Sequence, residues 1–465
     1  MSFDSVLFLS CFLPLLALLY ALVRGVRARN ALLLAAGLVF YAFGGLGGLL
    51  ALLACTAVNY GFGLALLRRA EGGRGIVAAA AALDLAFLAA FKYLSFALSL
   101  LSPVLAAPKT VWLAAPIGIS FFTFKCISYV VDTYRDRRSG TKRFFELLLY
   151  VSFFPQIMAG PITRFPDFRD QLEERQSTPR RCAAGLRRFI VGLAKKLILA
   201  GAAAGVADRV FAADAALSAP LAWLGAVGYM LQIYFDFSGY SDMAIGLGQM
   251  FGFETPENFN YPYVAGTITD FWRRWHISLS SWFRDYLYIP LGGSRRGRVR
   301  AAANKLIVFI LCGLWHGAGW TYLAWGAWHG VFSAGETLLG VKRAPAKGLR
   351  GALGHVYTLL VVCIGFVFFR AETLSAGWGV LRAMLGLVPA SAASVAALHA
   401  ALPPLTAALL VIAAVCALPL KQKLPGLDAS AAGRGVTYAG CVVLLALCVM
   451  KLAAGGFAPF IYFQF

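Results

Sequence analysis

The stretch Asp270–Gly330 contains two blocks that stand out in a very apolar chain. The first, DFWRRWHISLSSWFRDYLYIPLGG, covers residues 270–293, and the second, LWHGAGWTYLAWGAWHG, covers residues 314–330. Three of the chain's five histidines lie here, namely His276, His316 and His329, together with most of its ten tryptophans. Such a concentration of imidazole and indole rings indicates that chemistry takes place in this stretch.

The composition identifies a polytopic membrane protein. The 465 residues are 60% hydrophobic and only 14% charged, which is too little charge to cover the surface of a soluble protein of this length. Apolar runs long enough to cross a hydrocarbon core of about 30 Å recur from end to end. The first run, residues 6–23, has neither a basic segment before it nor a small-residue cleavage site after it. We therefore expect a retained helix rather than a signal peptide.

The charge of the chain also fits a membrane protein. The net charge is +21, from 42 Lys and Arg against 21 Asp and Glu, and the basic residues lie in short loops between apolar runs. The positive-inside rule accounts for this excess without a nucleic-acid partner. Nine cysteines occur singly, with no CxxC pair or Cys/His spacing, so neither a disulfide framework nor a metal site is predicted.

Apolar runs and basic loops together predict an all-α polytopic protein of about 11–12 transmembrane helices, with both termini outside. The crossings are expected at roughly 5–23, 30–43, 46–67, 76–101, 113–133, 186–210, 218–238, 304–340 as a hairpin, 351–369, 402–420 and 436–453.

Two apolar segments contain breaks or charges. Two prolines and a glycine interrupt FFPQIMAGPITRF at 153–165, which favours a re-entrant or interfacial segment, with a kinked helix as the alternative. Further on, Asp236 and Asp242 lie among apolar residues. Carboxylates at membrane depth are costly and normally face a polar interior or a partner, although a position at the membrane interface explains them equally well.

His316 lies inside the apolar run IVFILCGLWHGAGWTYLAWG, with no acid or base for several residues on either side. Because an imidazole has an ordinary pKa of about 6.5, its neutral form suits a general base. Neighbouring glycines allow a substrate or another backbone to approach closely. A structural histidine hydrogen-bonded across helices is the alternative. The tryptophans nearby favour a ligand pocket with aromatic walls, which Trp315 and Trp320 are predicted to line.

His276 lies in a basic and aromatic setting. The residues directly before it are Trp272, Arg273, Arg274 and Trp275. Arginines bind phosphate through bidentate hydrogen bonds, so these four residues and Asn258 are predicted to bind an anionic donor. An interfacial aromatic belt explains the tryptophans and arginines equally well but not the histidine. His329 would lie about 220° around a helix from His316 if one helix held both, and we treat it as secondary.

The sequence lacks a nucleophile elbow, a Walker loop, a GxGxxG turn and an HExxH motif. A serine-type triad is therefore unsupported, and metal chemistry has no set of ligands. The remaining chemistry is acid–base assistance to two bound substrates that are held in line.

Several blocks resemble the membrane-bound O-acyltransferase (MBOAT) family, in its alginate O-acetylation subgroup. They are PIGISFFTFKCISYVVDTYR, FFPQIMAGPITRF, PENFNYPY, TDFWRRWHISLSSWFRDYLYIPLGG and LWHGAGWTYLAWGAWHG, and the ending FIYFQF also matches. The blocks cover roughly residues 115–330.

The resemblance implies a helical bundle around a funnel or tunnel, with His316 as the principal catalytic residue. His276 falls where other branches carry a second active-site residue, often asparagine. Family members move an acyl group from a thioester, either acetyl-CoA or acyl carrier phosphopantetheine, to a hydroxyl, without a tightly bound cofactor. In the polysaccharide-modifying subgroup the acyl group crosses the inner membrane, and a periplasmic acetyltransferase partner places it on the polymer.

We therefore expect one integral membrane O-acyltransferase domain over residues 1–465, with a motif-bearing core at about 115–330, that acetylates an extracellular polysaccharide such as alginate. His316 would act as general base, and His276 would position or polarise the thioester. Three alternatives stay open. The first is D-alanyl transfer to teichoic acid, the second is a transporter or flippase that depends on Asp236 and Asp242, and the third is a structural scaffold for an envelope complex.

Tyr462 lies among phenylalanines in the C-terminal tail, which is expected outside. By analogy with the D-alanylation system, where a small partner presents a tyrosine, Tyr462 is predicted to receive the acyl group and pass it outward. An aromatic belt that anchors the last helix is the alternative. Replacing Tyr462 with Phe keeps the anchor and removes the hydroxyl, so we expect this variant to lose acylation of the polymer. Normal acylation, measured by mass spectrometry of the polymer, would rule out the relay.

Overall fold

The protein is helical throughout the part of the chain that the structure describes. The computed structural model describes residues 1–94, 96, 98, 115–212, 217–341, 348–420 and 430–455. No β-strand occurs among these residues, so the predicted all-α fold is confirmed. Tyr462, with the rest of the tail 457–465, lies outside the described residues, and its predicted relay stays a prediction.

The chain divides into two compact units. Unit 1 consists of Met1–Phe189 and Asp242–Pro256, and unit 2 consists of Ile190–Ser241 and Glu257–Phe465. The single domain expected over residues 1–465 stays a prediction. The helices of unit 1 are α1 (Phe8–Leu22), α2 (Val26–Ala42), α3 (Leu46–Leu67), α4 (Arg74–Lys92), α5 (Ile119–Arg135), α6 (Phe144–Ser152), α7 (Phe154–Ile157) and α8 (Phe165–Glu173).

Two long helices, α9 (Pro179–Phe211) and α10 (Ala219–Met250), contribute residues to both units. The remaining helices of unit 2 are α11 (Ile268–Arg274), α12 (Ile277–Phe283), α13 (Gly297–His316), α14 (Trp320–Leu338), α15 (Leu349–Arg370), α16 (Leu374–Met384), α17 (Ala392–Ala401), α18 (Pro404–Cys416) and α19 (Ala431–Ala453).

Six of the described helices are long and apolar enough to cross a membrane, namely α3, α4, α9, α13, α15 and α19. The pair α17 and α18, bent by 68°, would make a seventh span. These numbers are below the eleven or twelve crossings predicted from the sequence. Part of the difference arises because several predicted crossings are shorter helices, such as α2 and α5 with 17 residues each. Helices α10 and α14, with 32 and 19 residues, are long enough but are not apolar enough to count.

The segment FFPQIMAGPITRF is interrupted in unit 1, as its prolines and glycine predicted. Helix α6 ends at Ser152, and a second helix, α7, spans only Phe154–Ile157, so a single kinked helix is excluded. A buried polar cluster replaces part of the missing helical hydrogen bonding. The Lys125 ammonium donates to the Tyr150 carbonyl at 2.8 Å and to Gln156 Oε1 at 3.0 Å, and the Thr163 hydroxyl donates to the same Gln156 oxygen at 2.9 Å. Irregular backbone away from water requires such partners.

Helices α13 and α14 of unit 2 form a hairpin that packs backbone against backbone. A Cβ added at Gly326 would lie 3.2 Å from the Gly313 Cα and would overlap the Phe309 carbonyl. Small residues at such a contact let two helices approach closely, as is typical of membrane proteins. The glycines near His316 were expected to admit either a substrate or another backbone, and Gly313 admits a backbone.

This packing predicts that Gly326→Ala destabilises the protein. The added methyl group must push α13 and α14 apart, and overpacking of this kind costs about 1–3 kcal/mol. Gly335→Ala is the matched control on the same helix, because a Cβ there would meet nothing within 4 Å. The thermal melting midpoint in detergent should fall for Gly326→Ala and stay or rise slightly for Gly335→Ala. Equal midpoints for the two variants would contradict the backbone contact.

Candidate active site

His316 is the last residue of α13, and its side chain lies against three aromatic rings. The ring centroids of Trp325 and Phe369 lie 4.9 and 5.1 Å from that of His316, and both contacts are nearly perpendicular. The Trp315 ring lies at 4.8 Å on the third side. His316 is only 4% exposed, so its imidazole is held in an aromatic enclosure. This setting restricts the ring to one orientation and limits its access to water.

The four tryptophans that follow or precede His316 closely in the sequence lie in three different settings. Trp315 and Trp325 are buried against the histidine ring, whereas Trp320 is 58% exposed at the start of α14. Trp328 lies elsewhere, since its indole donates to the Val361 carbonyl of α15 at 2.8 Å. The aromatic surroundings of His316 therefore come from one ring each of α13, α14 and α15, namely Trp315, Trp325 and Phe369, rather than from every tryptophan nearby in sequence.

His276 occupies a strained backbone conformation between two short helices. It has φ 43° and lies directly before α12. Tyr261, with φ 45°, is the other residue besides glycine with positive φ among the described residues. The segments that contain them pair through backbone hydrogen bonds, from Asn260 to Arg274 and from Ile277 to Asn258, both at 2.9 Å. Positive φ is unfavourable outside glycine and asparagine, and such strain is concentrated at functional sites.

Asn258 holds the imidazole of His276 in one orientation. The Asn258 Oδ1 accepts hydrogen bonds from the Ser278 backbone amide at 3.1 Å and from the Ser278 hydroxyl at 2.9 Å. The same oxygen lies 3.3 Å from His276 Nδ1. The amide nitrogen of Asn258 donates to Ser241 Oγ at 3.0 Å on its other side. Asn258 was predicted to bind the donor, and the structure places it as the partner of His276.

These contacts also determine which nitrogen of His276 carries the proton. A backbone N–H can only donate, so the Asn258 atom that faces Ser278 must be its oxygen. An amide oxygen can only accept, and His276 Nδ1 must therefore carry the hydrogen. The second ring nitrogen, Nε2, is left with its lone pair. In this tautomer His276 can accept a hydrogen bond at Nε2.

Burial keeps His276 neutral. The residue lies between α11 and α12, outside the helices long enough to span a membrane. Loss of contact with water lowers the pKa of the His276 imidazole to about 3, because burial disfavours the charged form. The Phe237 ring covers it edge-on at 4.6 Å. The ring is therefore uncharged across the physiological pH range.

The four residues before His276 differ in their burial and in their contacts. Trp275 is buried and stacks on Phe271 at 5.6 Å, and Trp272 lies edge-on to Trp325 at 5.6 Å. Arg273 is exposed, whereas the Arg274 guanidinium pairs with Asp270 at 2.9 Å. Of the two arginines predicted to bind an anionic donor, Arg273 faces solvent and Arg274 is engaged within its own helix.

His329 has a larger part in the site than the sequence suggested. Trp325 lies between the two histidines, with ring centroids 4.9 Å from His316 and 5.3 Å from His329. The Trp272 indole donates a long hydrogen bond of 3.4 Å to His329 Nδ1. The rings of Trp325, His329 and Trp272 thus form a continuous aromatic layer that joins His316 to α11. The sequence signal was the spacing from Trp325 to His329, four residues or one helical turn, which places both on one face of α14.

The two acidic residues on which the transporter alternative rests are both ion-paired. Asp236 and Lys196 are buried together in unit 2, with their charged atoms 2.6 Å apart. In unit 1, Asp242 pairs with the Arg188 guanidinium at 2.8 Å. Carboxylates in apolar surroundings normally have such partners, and both pairs link α9 to α10.

Comparison with known proteins assigns the chain to a family. Residues 81–374 match the model of MBOAT, the membrane-bound O-acyltransferase family. The chain is 40% identical to a probable alginate O-acetylase of Azotobacter vinelandii over 506 residues, which cover 100% of both chains. It is 45% identical to a probable alginate O-acetylase of Pseudomonas aeruginosa over 397 residues, 83% of this chain and 75% of the relative.

A peptidoglycan O-acetyltransferase of Helicobacter pylori is 36% identical over 432 residues, 83% of this chain and 80% of the relative. The family match covers more than half of the chain and agrees with the motifs around both histidines. The chain belongs to the membrane-bound O-acyltransferase family and is a multi-pass membrane O-acyltransferase.

Proposed function

We propose that the protein moves an acetyl group from a cytoplasmic thioester across the inner membrane for O-acetylation of an extracellular polysaccharide such as alginate. The observation that carries this proposal is the enclosure of His316 by Trp315, Trp325 and Phe369. Relatives named as O-acetylases of alginate and of peptidoglycan favour acetyl over D-alanyl as the transferred group and a polysaccharide as the acceptor.

In the proposed reaction His316 is the general base. Its imidazole removes the proton of the acceptor hydroxyl as the hydroxyl oxygen attacks the thioester carbonyl carbon. A new C–O bond forms, the C–S bond breaks, and the thiolate that leaves takes up the proton. Both substrates must reach the ring for this to happen. The proposal therefore includes the funnel or tunnel that the family resemblance implies, since His316 is only 4% exposed as it stands.

We assign His276 the role of positioning the reactants. Its Nε2 lone pair can accept a hydrogen bond from the acceptor hydroxyl or from the departing thiol. The Nδ1–H tautomer set by Asn258 offers no proton at Nε2 with which to polarise a thioester carbonyl. Of the two roles expected from the sequence, positioning and polarising, this tautomer supports positioning.

The donor and partners follow from the same proposal. The donor is acetyl-CoA or an acyl carrier phosphopantetheine, bound as a substrate, and exposed Arg273 would pair with its phosphate. A cytoplasmic acyl carrier protein and a periplasmic acetyltransferase would deliver and receive the acetyl group. The proposal places both termini in the periplasm, as the basic loops predict.

The proposed role of His316 predicts that His316→Ala loses O-acetylation. Removing a general base lowers a rate by about 10²–10⁴-fold, so cells that carry only this variant should produce unacetylated polymer. Mass spectrometry of the cell-surface polysaccharide measures the acetyl content. His399→Ala, which removes an exposed histidine of α17, is the control and should leave the acetyl content unchanged. Normal acetylation with His316→Ala, at equal protein level, would contradict the proposed function.

The contact between His276 and Asn258 predicts that an asparagine can partly replace the histidine. Asparagine tolerates positive φ and can still donate to Asn258, so His276→Asn should retain more activity than His276→Ala, by about tenfold for one hydrogen bond.

The neutrality of His276 predicts that this substitution leaves the pH profile unchanged. The rate of His276→Asn should keep the wild-type dependence on pH between about pH 5 and 8, because a ring with a pKa near 3 does not titrate there. Loss of the acid limb of the profile in His276→Asn would show that His276 titrates and would contradict this account.

A further inference from the structure

Helix α11 needs support from elsewhere in unit 2. It contains seven residues, Ile268–Arg274, which is too short for a helix to be stable by itself. Yet α11 carries Trp272 and leads directly into the strained residue His276. The groups that hold α11 therefore also determine where the His276 imidazole lies.

The backbone N–H groups at the start of α11 are bonded by two side chains. The Glu336 carboxylate accepts from the Ile268 N–H at 2.6 Å with one oxygen and from the Thr269 N–H at 2.9 Å with the other. The Thr267 hydroxyl accepts from the third, the Asp270 N–H, at 3.0 Å. These three N–H groups have no partner within a helix, so Glu336 supplies two of the three bonds that fix the start of α11.

Glu336 belongs to the same face of α14 as the aromatic layer. Positions 329 and 336 are seven residues apart, which is almost two full turns of a helix. His329 receives the Trp272 indole N–H, while Glu336 is buried and holds the first turn of α11. The face of α14 that bears Trp325 against His316 is therefore fastened to α11 at two points.

We propose that Glu336 is a positioning residue for acyl transfer, which fixes α11 and hence His276 relative to the helix that contacts His316. This inference rests on the proposed function. Hydrogen bonds from backbone N–H groups to a carboxylate are stronger than those to a neutral amide. Bidentate capping by Glu336 thus makes the placement of His276 depend on one buried side chain of α14.

Glu336→Gln tests the proposal with almost no change in side-chain volume. The amide oxygen can accept one of the two backbone N–H groups, but the amide NH₂ faces the other, and two donors repel. We expect α11 to shift and kcat to fall by roughly 10-fold to 100-fold, since small misplacements of reacting groups cost rates of this size. The KM for acetyl-CoA should change by less than about threefold, because positioning acts on the reaction step.

The assay uses the full chain in proteoliposomes with acetyl-CoA as the probe, and rates are expressed per folded protein measured by size-exclusion chromatography. Glu146→Gln is the matched control in unit 1, where Glu146 accepts from Thr141 and pairs with Arg143. It should keep the wild-type kcat. A Glu336→Gln variant with wild-type kcat per folded protein would overturn the positioning role.

His316→Ala in the same assay separates the two proposals. If His316→Ala is inactive while Glu336→Gln is as fast as wild type, only the positioning inference fails. If His316→Ala turns over acetyl-CoA at the wild-type rate, the proposed function itself fails. Glu336→Asp adds a graded result, since its shorter carboxylate keeps the charge and should recover part of the kcat that Glu336→Gln loses.

Discussion

The close packing of α13 on α14 at Gly313 and Gly326 is the contact on which the rest of the site depends. Because neither glycine has a side chain, the two backbones approach until a Cβ at either position would overlap the other helix. This approach brings His316, at the end of α13, against Trp325 of α14 with ring centroids 4.9 Å apart. A wider hairpin would separate the His316 ring from the aromatic rings that enclose it.

A second constraint is that polar groups in so apolar a chain need partners. An unpaired polar group away from water costs several kcal/mol, and three polar residues of unit 2 find partners in ways that also hold another group in place. Asn258 orients His276, Glu336 holds the start of α11, and Asp236 pairs with Lys196. Polar residues therefore position the site, whereas the aromatic rings enclose it.

Local features of the fold could be predicted from the sequence. The break between the predicted crossings at 30–43 and 46–67 occurs between α2 and α3. The interruption at 153–165 followed from its prolines and glycine, because proline and glycine act on their immediate neighbours. The number of spans was harder to predict. Hydropathy marks a run as apolar, but it does not show where a helix such as α5 begins or ends, and α5 has only 17 residues.

The site itself was only partly predictable. His316 and Trp325 are close in sequence and lie on consecutive helices, so their contact could be anticipated from the clustering of histidine and tryptophan. The hydrogen bond that the Ile268 N–H donates to Glu336 joins residues 68 positions apart, and the positive φ of His276 depends on pairing with the segment at Asn258. Such contacts arise from tertiary packing, which no local periodicity encodes.

If acyl transfer takes place at His316, the acyl donor must bind beside its imidazole. A cryo-electron microscopy structure of the full chain with a non-hydrolysable thioether analogue of acetyl-CoA would show where the donor binds. We expect the acetyl carbonyl of the analogue to lie beside the His316 imidazole. One attacking hydroxyl should then be able to contact the carbonyl carbon and to donate a hydrogen bond to the imidazole, directly or through one bridging water. An analogue bound with its acetyl group elsewhere, while Trp315, Trp325 and Phe369 still enclose His316, would contradict the account.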